Sequence, residues 1–304
     1  MVRTLRLIGA PTDVGAARRG GSMGPEALRV AGLLDSLRRR GLTVEDVGNL
    51  VGPPNLVQSP VDGYRHLPEV QRWCEGVDAA VSEALACGRL PLLMGGDHSL
   101  AIGSISAVAR HCRTQGRKLR VLWLDAHADF NTATITPSGN LHGMPVAVLT
   151  GTGPQGLIEL CGVGGPLAPA DFRLVGVRSV DAEEKRRVRD AGLPVQDMRR
   201  IDEVGMREVM RAALDGLTSD AHLHLSLDVD FLDPDIAPGV GTPVRGGPTY
   251  REAQLCMEMI ADCGCLGSLD LVELDPSRDT ANRSAELVVD LVESLFGKNT
   301  LMRV

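Results

Sequence analysis

The chain has 304 residues, a formal net charge of −7 from 32 Lys and Arg against 39 Asp and Glu, 43% apolar residues and 3% aromatic residues. The acidic balance and the scarcity of aromatic side chains argue against general nucleic-acid binding, which favours a basic surface and stacking aromatic residues. No stretch approaches the roughly 18 apolar residues of a membrane helix, and Met1 to Ala10 lack the apolar run of a signal peptide. We therefore expect a cytoplasmic protein that binds neither nucleic acid nor membranes.

Short apolar runs alternate with longer stretches of helical periodicity along the whole chain. The predicted strands are Leu5 to Ile8, Leu90 to Met94, Arg120 to Leu124, Arg173 to Val177, His222 to Val229 and Ser268 to Glu273. The predicted helices span residues 25–40, 68–87, 99–114, 182–191, 203–216, 250–262 and 281–296. This alternation predicts an α/β fold of three layers, with a mainly parallel sheet covered by helices on both faces.

No Pro/Ser-rich linker, internal repeat or low-complexity tract divides the chain, so we predict one domain over residues 1–304. The longest irregular stretches are Gly20 to Gly24, Asn131 to Gly143 and Asp233 to Pro248. The last two directly follow predicted strands, which places them at the carboxyl edge of the sheet, where open α/β sheets bind ligands.

The seven cysteines show no regular spacing, which is typical of reduced thiols in a cytosolic enzyme. Cys263 and Cys265 resemble a redox or metal-binding pair. A metal site needs further ligands, however, and the sequence holds no second cysteine cluster.

Acidic and imidazole side chains cluster where the predicted strands end. They are His98, Asp125, His127, Asp129, Asp228 and Asp230. Alternate residues of an extended segment point the same way, so the three that follow the Arg120 to Leu124 strand form one row and the last two form a second. An isolated Asp-x-His is more often a solvated turn, but two buried rows repel or desolvate one another unless a cation lies between them. The sequence therefore predicts a metal site.

Six ligands exceed what one tetrahedral zinc ion uses, so two ions are expected. The four carboxylates balance the charge of two divalent cations. Oxygen ligands with two imidazoles and no thiolate suit manganese better than zinc or copper. A metal pair about 3.5 to 4 Å apart generates a hydroxide nucleophile at neutral pH.

Several sequence motifs resemble those of the ureohydrolase family. The segments Gly95 to Ser99, Asp125 to Asn131 and Ser226 to Pro234 are similar, in that order, to its three signatures. Ser138 to Pro145 is similar to arginases rather than agmatinases, and Arg178 to Asp181 is similar to bacterial arginases. The similarity extends over nearly the whole chain.

The resemblance implies hydrolysis of L-arginine to L-ornithine and urea by a hydroxide that bridges two Mn²⁺ ions. It places one ion on His98, Asp125, Asp129 and Asp228, and the other on Asp125, His127, Asp228 and Asp230. Asp125 and Asp228 would bridge the two ions.

A guanidinium group stays protonated at any working pH, so it needs a strong nucleophile and an anionic binding group in a dry pocket. Glu273, at the end of the last predicted strand, has the charge and the geometry for bidentate pairing. His142 is the candidate acid or proton shuttle for the departing amine, since its pKa lies near the working range. Together with the metal ligand Asp129, they form the predicted catalytic set.

The resemblance also implies contacts for the two ends of an amino-acid substrate. Asn131, Ser138 and Asn140 would hydrogen-bond the α-carboxylate. Asp181, with Glu184 nearby, would bind the α-ammonium, partly through water. Thr242 would support the hydroxide or the substrate.

Two positions depart from the family pattern. Phe231 stands where Gly is common, which we expect to narrow or reshape the rim of the pocket, and Asp275 stands where Asn is usual, which adds negative charge near Glu273. Arg251 and Glu258 match positions that pair across subunits in arginases, so a homo-oligomer is expected, either a trimer or a hexamer. Two charges at helical spacing are otherwise normally a solvated face.

Three alternatives stay open at this point. The first is a ureohydrolase for another guanidino compound, such as 4-guanidinobutyrate or agmatine. The second is a non-catalytic relative that binds metal or an amino acid. The third is a zinc deacetylase on the related fold, which uses one metal ion and fewer ligands.

Overall fold

One eight-stranded sheet, in which every neighbouring pair of strands is parallel, organises the computed structural model. The structure describes residues 4–55 and 58–298. Residues 1–3, which belong to the segment predicted to lack the apolar run of a signal peptide, lie outside the described residues. The strands are β1 (Thr4–Ala10), β2 (Thr43–Asn49), β3 (Leu90–Gly95), β4 (Leu119–Leu124), β5 (Phe172–Val177), β6 (Val195–Asp197), β7 (His222–Asp228) and β8 (Leu266–Val272). Their order across the sheet is β2-β1-β3-β8-β7-β4-β5-β6.

Helices follow most strands along the chain, as parallel crossovers require. They are α1 (Gly24–Val30), α2 (Leu33–Arg39), α3 (Leu67–Ala86), α4 (Ala101–Thr114), α5 (Pro145–Leu149), α6 (Gln155–Ile158), α7 (Ala182–Asp190), α8 (Met198–Val204), α9 (Met206–Leu214), α10 (Tyr250–Cys263) and α11 (Arg283–Leu295). Thr249 caps α10 through a capping box with Glu252. Within the described residues, no helix has the length and apolar content needed to cross a membrane.

The predicted α/β architecture is confirmed, but two predicted helices are divided, and the short helices α5 and α6 and two edge strands were not predicted. The helix predicted over 25–40 is two helices, because the chain turns at Gly32 with a φ of 82°. Gly205, with a φ of 83°, likewise separates α8 from α9, where the prediction had one helix over 203–216. The edge strands β2 and β6 were not predicted, because both are partly exposed and carry polar residues.

The apolar side chains of each strand divide between the two faces of the sheet. Leu122 and Leu124 of β4 pack into the cluster that includes α1, α2 and α8 to α11. Val121 and Trp123, which alternate with them, pack on the opposite face, in a cluster to which α4 and α5 contribute. Because alternate residues of a strand point to opposite faces, this division gives the predicted three layers.

The parallel direction of the strands brings all their carboxyl ends to one edge. The four central strands, β3, β8, β7 and β4, are neighbours there. The segments that follow them carry His98, Glu273, the pair Asp228 and Asp230, and the row that starts at Asp125. The sheet order therefore gathers residues from distant parts of the sequence at one place.

A buried polar network joins β7 to β8 beneath that edge. His224 Nδ1 lies 2.8 Å from Ser268 Oγ, and His224 Nε2 lies 3.2 Å from a carboxylate oxygen of Asp270. Ser104 of α4 donates a hydrogen bond of 2.6 Å to the other oxygen of Asp270. All four residues are at most 1% exposed. These contacts link the strand of Asp228 to the strand that leads to Glu273.

We predict that Asp270→Ala lowers the free energy of unfolding by about 2 kcal/mol, because it leaves the buried Ser104 hydroxyl without its acceptor and removes the carboxylate beside His224. Ser104→Ala removes one hydrogen bond from the same carboxylate and should cost about 1 kcal/mol. Urea unfolding followed by circular dichroism measures both values. Equal stability of Asp270→Ala and the wild type would show that the pair does not hold the two strands.

Candidate metal centre

Three carboxylates surround one nitrogen of His98 at the edge of the sheet. His98 lies in the short helical turn after β3, and its Nδ1 is 3.2 Å from an oxygen of each of Asp125, Asp129 and Asp228. All four residues are buried. His98, the predicted ligand that follows β3, therefore lies beside side chains of both predicted rows.

A second group of donors lies beside the first. His127 Nδ1 is 3.1 Å from Asp230 Oδ2 and 3.4 Å from Asp125 Oδ1. One donor atom from each of Asp125, His127 and Asp230 lies within 4.8 Å of the others, and the same holds for His98, Asp125 and Asp228. Asp125 belongs to both groups, as a bridging ligand must.

Burial and mutual repulsion disturb protonation in this cluster. Burial, reinforced by the Asp125 carboxylate, raises the pKa of Asp129 to about 7. Burial, together with Asp230 and Asp125, raises the pKa of Asp228 well above its ordinary value. Burial opposes charge on His127 as well, but Asp230 and Asp125 raise the pKa of its imidazole to about 12. Two protonated imidazoles do not neutralise four carboxylates, so without a further cation these carboxylates cannot all carry their charge.

The Nδ1 atom of His98 tests independently whether the cluster fits a metal ion. It is buried and makes no hydrogen bond to the described residues, although three carboxylate oxygens lie 3.2 Å away. An imidazole nitrogen aimed among carboxylate oxygens is the arrangement expected around a divalent cation. The donors therefore fit a metal centre rich in oxygen ligands.

Two residues that the sequence analysis did not single out hold His98 in place. Its Nε2 lies 2.8 Å from Ser226 Oγ, and its ring stacks on Trp123 with centroids 3.9 Å apart. The Trp123 indole also donates a hydrogen bond of 2.8 Å to Asp125. Trp123 lies two positions before Asp125, and Ser226 lies two positions before Asp228. Residues two apart in a strand point the same way, so this spacing is the signal that identifies them. Such contacts fix the orientation of metal ligands.

Two site residues have left-handed backbones. The φ of Asp129 is 47° and that of Glu273 is 62°. Side chains other than glycine adopt this region at a cost in free energy, and such residues concentrate at functional sites. At Asp129, this backbone conformation directs the carboxylate towards His98. At Glu273, it occurs in the residue that directly follows β8.

The buried Glu273 and the half-buried His142 form a pair beside the donors. Glu273 Oε1 accepts a hydrogen bond of 2.8 Å from the backbone N–H of His98 and lies 3.0 Å from His142 Nδ1. Burial opposes charge on His142, but the Glu273 carboxylate raises its pKa to about 9. Burial likewise opposes charge on Glu273, yet His142 and the His98 N–H hold the pKa of Glu273 below its ordinary value. Each group thus keeps the other charged at neutral pH.

A cleft of about 630 Å³, called the central cleft below, opens over this pair and the donors. Its walls are formed by His127, Asp129, Asn131, Thr136, Pro137, Ser138, Asn140, His142, Gly143, Ser179, Asp181, Glu184, Asp228, Thr242 and Glu273. Every predicted substrate contact therefore faces the same space. The amide oxygens of Asn131 and Asn140 are buried and make no hydrogen bond to the described residues.

The acidic wall of the central cleft is built by the start of α7. Asp181 is the N-cap residue, and Glu184 accepts a hydrogen bond of 3.2 Å from its backbone N–H. Glu184 also accepts one of 2.8 Å from the N–H of Phe130 and is 3% exposed. Asp181 in turn accepts a hydrogen bond of 3.2 Å from Asn131. Glu184 thus joins the helix start to the metal row, while Asp181 is the more accessible acid.

The two unusual positions lie outside the central cleft. Phe231 is fully buried in the apolar cluster beneath the metal row, so it does not form the rim that the sequence analysis assigned to it. Asp275 is 3% exposed, accepts hydrogen bonds from Ser277, and lines a smaller cavity that also touches Glu273. Arg251 and Glu258 lie on α10, away from the cleft walls.

The chain is similar to known arginases over nearly its whole length. The arginase family model matches residues 3–297. The arginase of Bacillus subtilis strain 168 is 42% identical over 301 residues, covering 99% of this chain and 100% of the relative. That of Agrobacterium fabrum strain C58 is 44% identical over 307 residues, covering 100% and 94%. The solved structure of arginase from Bacillus caldovelox is 42% identical with a TM-score of 0.92, covering 99% and 100%.

We predict that Glu273→Gln lowers the pKa of His142 from about 9 towards the ordinary value, because the variant removes the carboxylate that favours the imidazolium. In the wild type, the raised pKa gives stability that is complete below the ordinary histidine pKa and is lost as the pH rises through about 9. NMR titration of the metal-free protein measures the pKa, with His142→Asn to assign the resonance.

Glu184→Gln is the matched control, because Glu184 is a buried acid of the same cleft that bonds to Phe130 rather than His142. Its His142 resonance should titrate as in the wild type. An unchanged pKa in Glu273→Gln would refute the pairing.

Proposed function

The chain belongs to the arginase family, and we propose that it hydrolyses L-arginine to L-ornithine and urea. The observation that carries the proposal is the meeting of two donor groups with the Glu273 and His142 pair in one cleft. Full-length similarity to arginases of several bacteria supports the same activity. The protein is accordingly a hydrolase.

We propose that the centre holds two Mn²⁺ ions, with the ligands that the family resemblance implies. These are His98, Asp125, Asp129 and Asp228 for one ion, and Asp125, His127, Asp228 and Asp230 for the other. Bound metal supplies an activated water as nucleophile at neutral pH. The shared position of Asp125 and the oxygen-rich donor set support this assignment.

Glu273 binds and orients the guanidinium group of the substrate. A carboxylate held ionised in a buried site pairs with a guanidinium through parallel hydrogen bonds. The backbone N–H of His98 and the imidazole of His142 fix one oxygen of Glu273, so the carboxylate has one orientation beside the donor groups. The guanidinium carbon is thereby placed next to the metal ligands.

His142 holds the proton that the departing amine requires. Its raised pKa keeps the imidazole protonated at neutral pH, so Nδ1 and Nε2 both carry hydrogen. His142 lies in the wall of the central cleft and contacts Glu273, the residue that binds the guanidinium. A positioned acid of this kind assists expulsion of an alkyl amine.

The mouth of the cleft recognises the amino-acid end of the substrate. Asn131 and Asn140 offer their side-chain amide N–H groups, and Ser138 its hydroxyl, as hydrogen-bond donors to an α-carboxylate from the wall of the cleft. Asp181, which accepts the hydrogen bond from Asn131, binds the α-ammonium, and Glu184 holds the backbone of Asp181 in place. Thr242 donates a hydrogen bond of 2.9 Å to Asp230 and supports that ligand. Agmatine lacks the carboxylate and leaves the first set without a partner.

We further propose that residues 1–304 form one domain that works in the cytoplasm as a homo-oligomer, a trimer or a hexamer. Arg251 and Glu258 lie two turns apart on α10 and supply charged contacts between subunits.

A panel of L-arginine, agmatine and 4-guanidinobutyrate, assayed for urea, tests the proposed activity. We expect kcat/KM for L-arginine to exceed that for the other two by at least about tenfold, since unpaired polar groups in the cleft cost 1 kcal/mol or more. Removal of metal with a chelator should abolish urea release, and added Mn²⁺ should restore it.

The other outcomes distinguish the alternatives. Preference for agmatine or 4-guanidinobutyrate would make the chain a different ureohydrolase. Metal-replete protein that is inactive on all three compounds would favour a binding role. One tightly held metal ion per chain would favour the zinc deacetylase.

A further inference from the structure

Arg178 lies where the two rows of metal ligands meet, yet its side chain hydrogen-bonds none of their side-chain donor atoms and does not line the central cleft. It directly follows β5. Its backbone N–H donates a hydrogen bond of 2.8 Å to the carbonyl of Ala126, and the N–H of Ser179 donates another of 3.0 Å to the same oxygen. Ala126 stands between the ligands Asp125 and His127, so the main chain at Arg178 is fixed to the first row.

The guanidinium of Arg178 binds the second row through backbone carbonyls. It donates to the oxygens of Asp230 at 2.8 Å, Phe231 at 3.0 Å and Leu232 at 3.1 Å. It also donates to its own strand at Gly176, at 3.2 Å. All of these acceptors are neutral.

The same guanidinium holds the loop that carries Thr242. Nε and Nη2 donate to the carbonyl of Val244 at 3.1 and 2.8 Å. A Cβ atom on Gly247 would lie 2.6 Å from Nη2, so the loop passes this close only because that residue is glycine. Thr242 in turn donates to the carboxylate of Asp230. Arg178 therefore joins three segments around one ligand.

The contacts favour one of the two donor groups. Asp230 directs one oxygen to His127 Nδ1, at 3.1 Å, and accepts a hydrogen bond of 3.2 Å from the N–H of Ala126 with the other. Both interactions depend on the spacing between the rows that Arg178 connects. His98, in the other group, is held by Ser226 and Trp123 instead.

We propose that Arg178 is a positioning residue that sets the affinity of the ion bound by His127 and Asp230. The inference rests on the metal centre proposed above. Without the guanidinium, five carbonyl oxygens lose a donor and the loops around Asp230 relax. That carboxylate then no longer meets His127 at the spacing that a metal ion needs.

The sign of the effect separates positioning from simple electrostatics. A positive charge near Asp230 and Asp125 repels a metal cation, so a purely electrostatic Arg178 would weaken metal binding. Its removal would then tighten binding, and lysine in its place would leave binding unchanged. A positioning Arg178 predicts weaker binding in both cases, because lysine lacks the planar fork that reaches several carbonyls at once.

The test compares Mn²⁺ binding by the wild type, Arg178→Met and Arg178→Lys, using isothermal titration calorimetry on the full chain. We expect both variants to bind one ion at least about tenfold more weakly and to keep the affinity of the other. In a His127→Asn background, which already lacks the affected site, Arg178→Lys should leave the affinity of the remaining ion unchanged.

Arg113→Met is the matched control, because Arg113 also donates to two backbone carbonyls, those of Cys161 and Gly165, outside the cleft walls. It should alter thermal stability but neither metal affinity. If Arg178→Met does not fold, Arg178→Lys still distinguishes the two roles. Unchanged or tighter binding in the Arg178 variants would overturn the inference alone, whereas wild type that binds fewer than two ions would overturn the metal centre with it.

Discussion

Four aspartates and His98 are buried at the carboxyl edge of the sheet, with the half-buried His127 beside them, and two imidazoles do not neutralise four carboxylates there without further cations. The raised pKa values of Asp129 and Asp228 and the unbonded nitrogen of His98 are consequences of that constraint. Metal ions relieve the repulsion and gain ligands already held in place. Several local features hold these side chains close together despite their repulsion. They include the stack of Trp123 on His98 and the left-handed backbone of Asp129.

At the same edge, an ionised carboxylate and a protonated imidazole lie next to each other. Glu273 stays ionised because His142 and a backbone N–H stabilise its charge, and His142 stays protonated because Glu273 is beside it. The anionic group and the proton that the proposed reaction requires are thus maintained by one pair. The parallel sheet makes this possible, since Glu273 directly follows β8 and His142 lies in the loop after β4, and both strands end at the same edge.

The candidate ligands and most strands could be predicted from the sequence because both depend on local pattern. Alternation along β4 and β7 identifies residues on one face, and strand ends identify the edge where they lie. The exposed strand β2 carries charged residues and has no such pattern. The pairing of Glu273 with His142, 131 residues apart, was not predicted, because the sequence named the two residues only in separate roles and their contact depends on the sheet order. Arg178 was missed as a structural element because its partners are backbone carbonyls, whose directions no side-chain pattern reports.

Anomalous diffraction at the manganese absorption edge, from crystals of the protein grown with Mn²⁺, would show directly whether the centre holds two ions. We expect two anomalous peaks, about 3.5 to 4 Å apart, between the two ligand rows. One peak should contact His98 and the other His127, with Asp125 touching both. A single peak, or peaks away from these residues, would contradict the proposed metal centre.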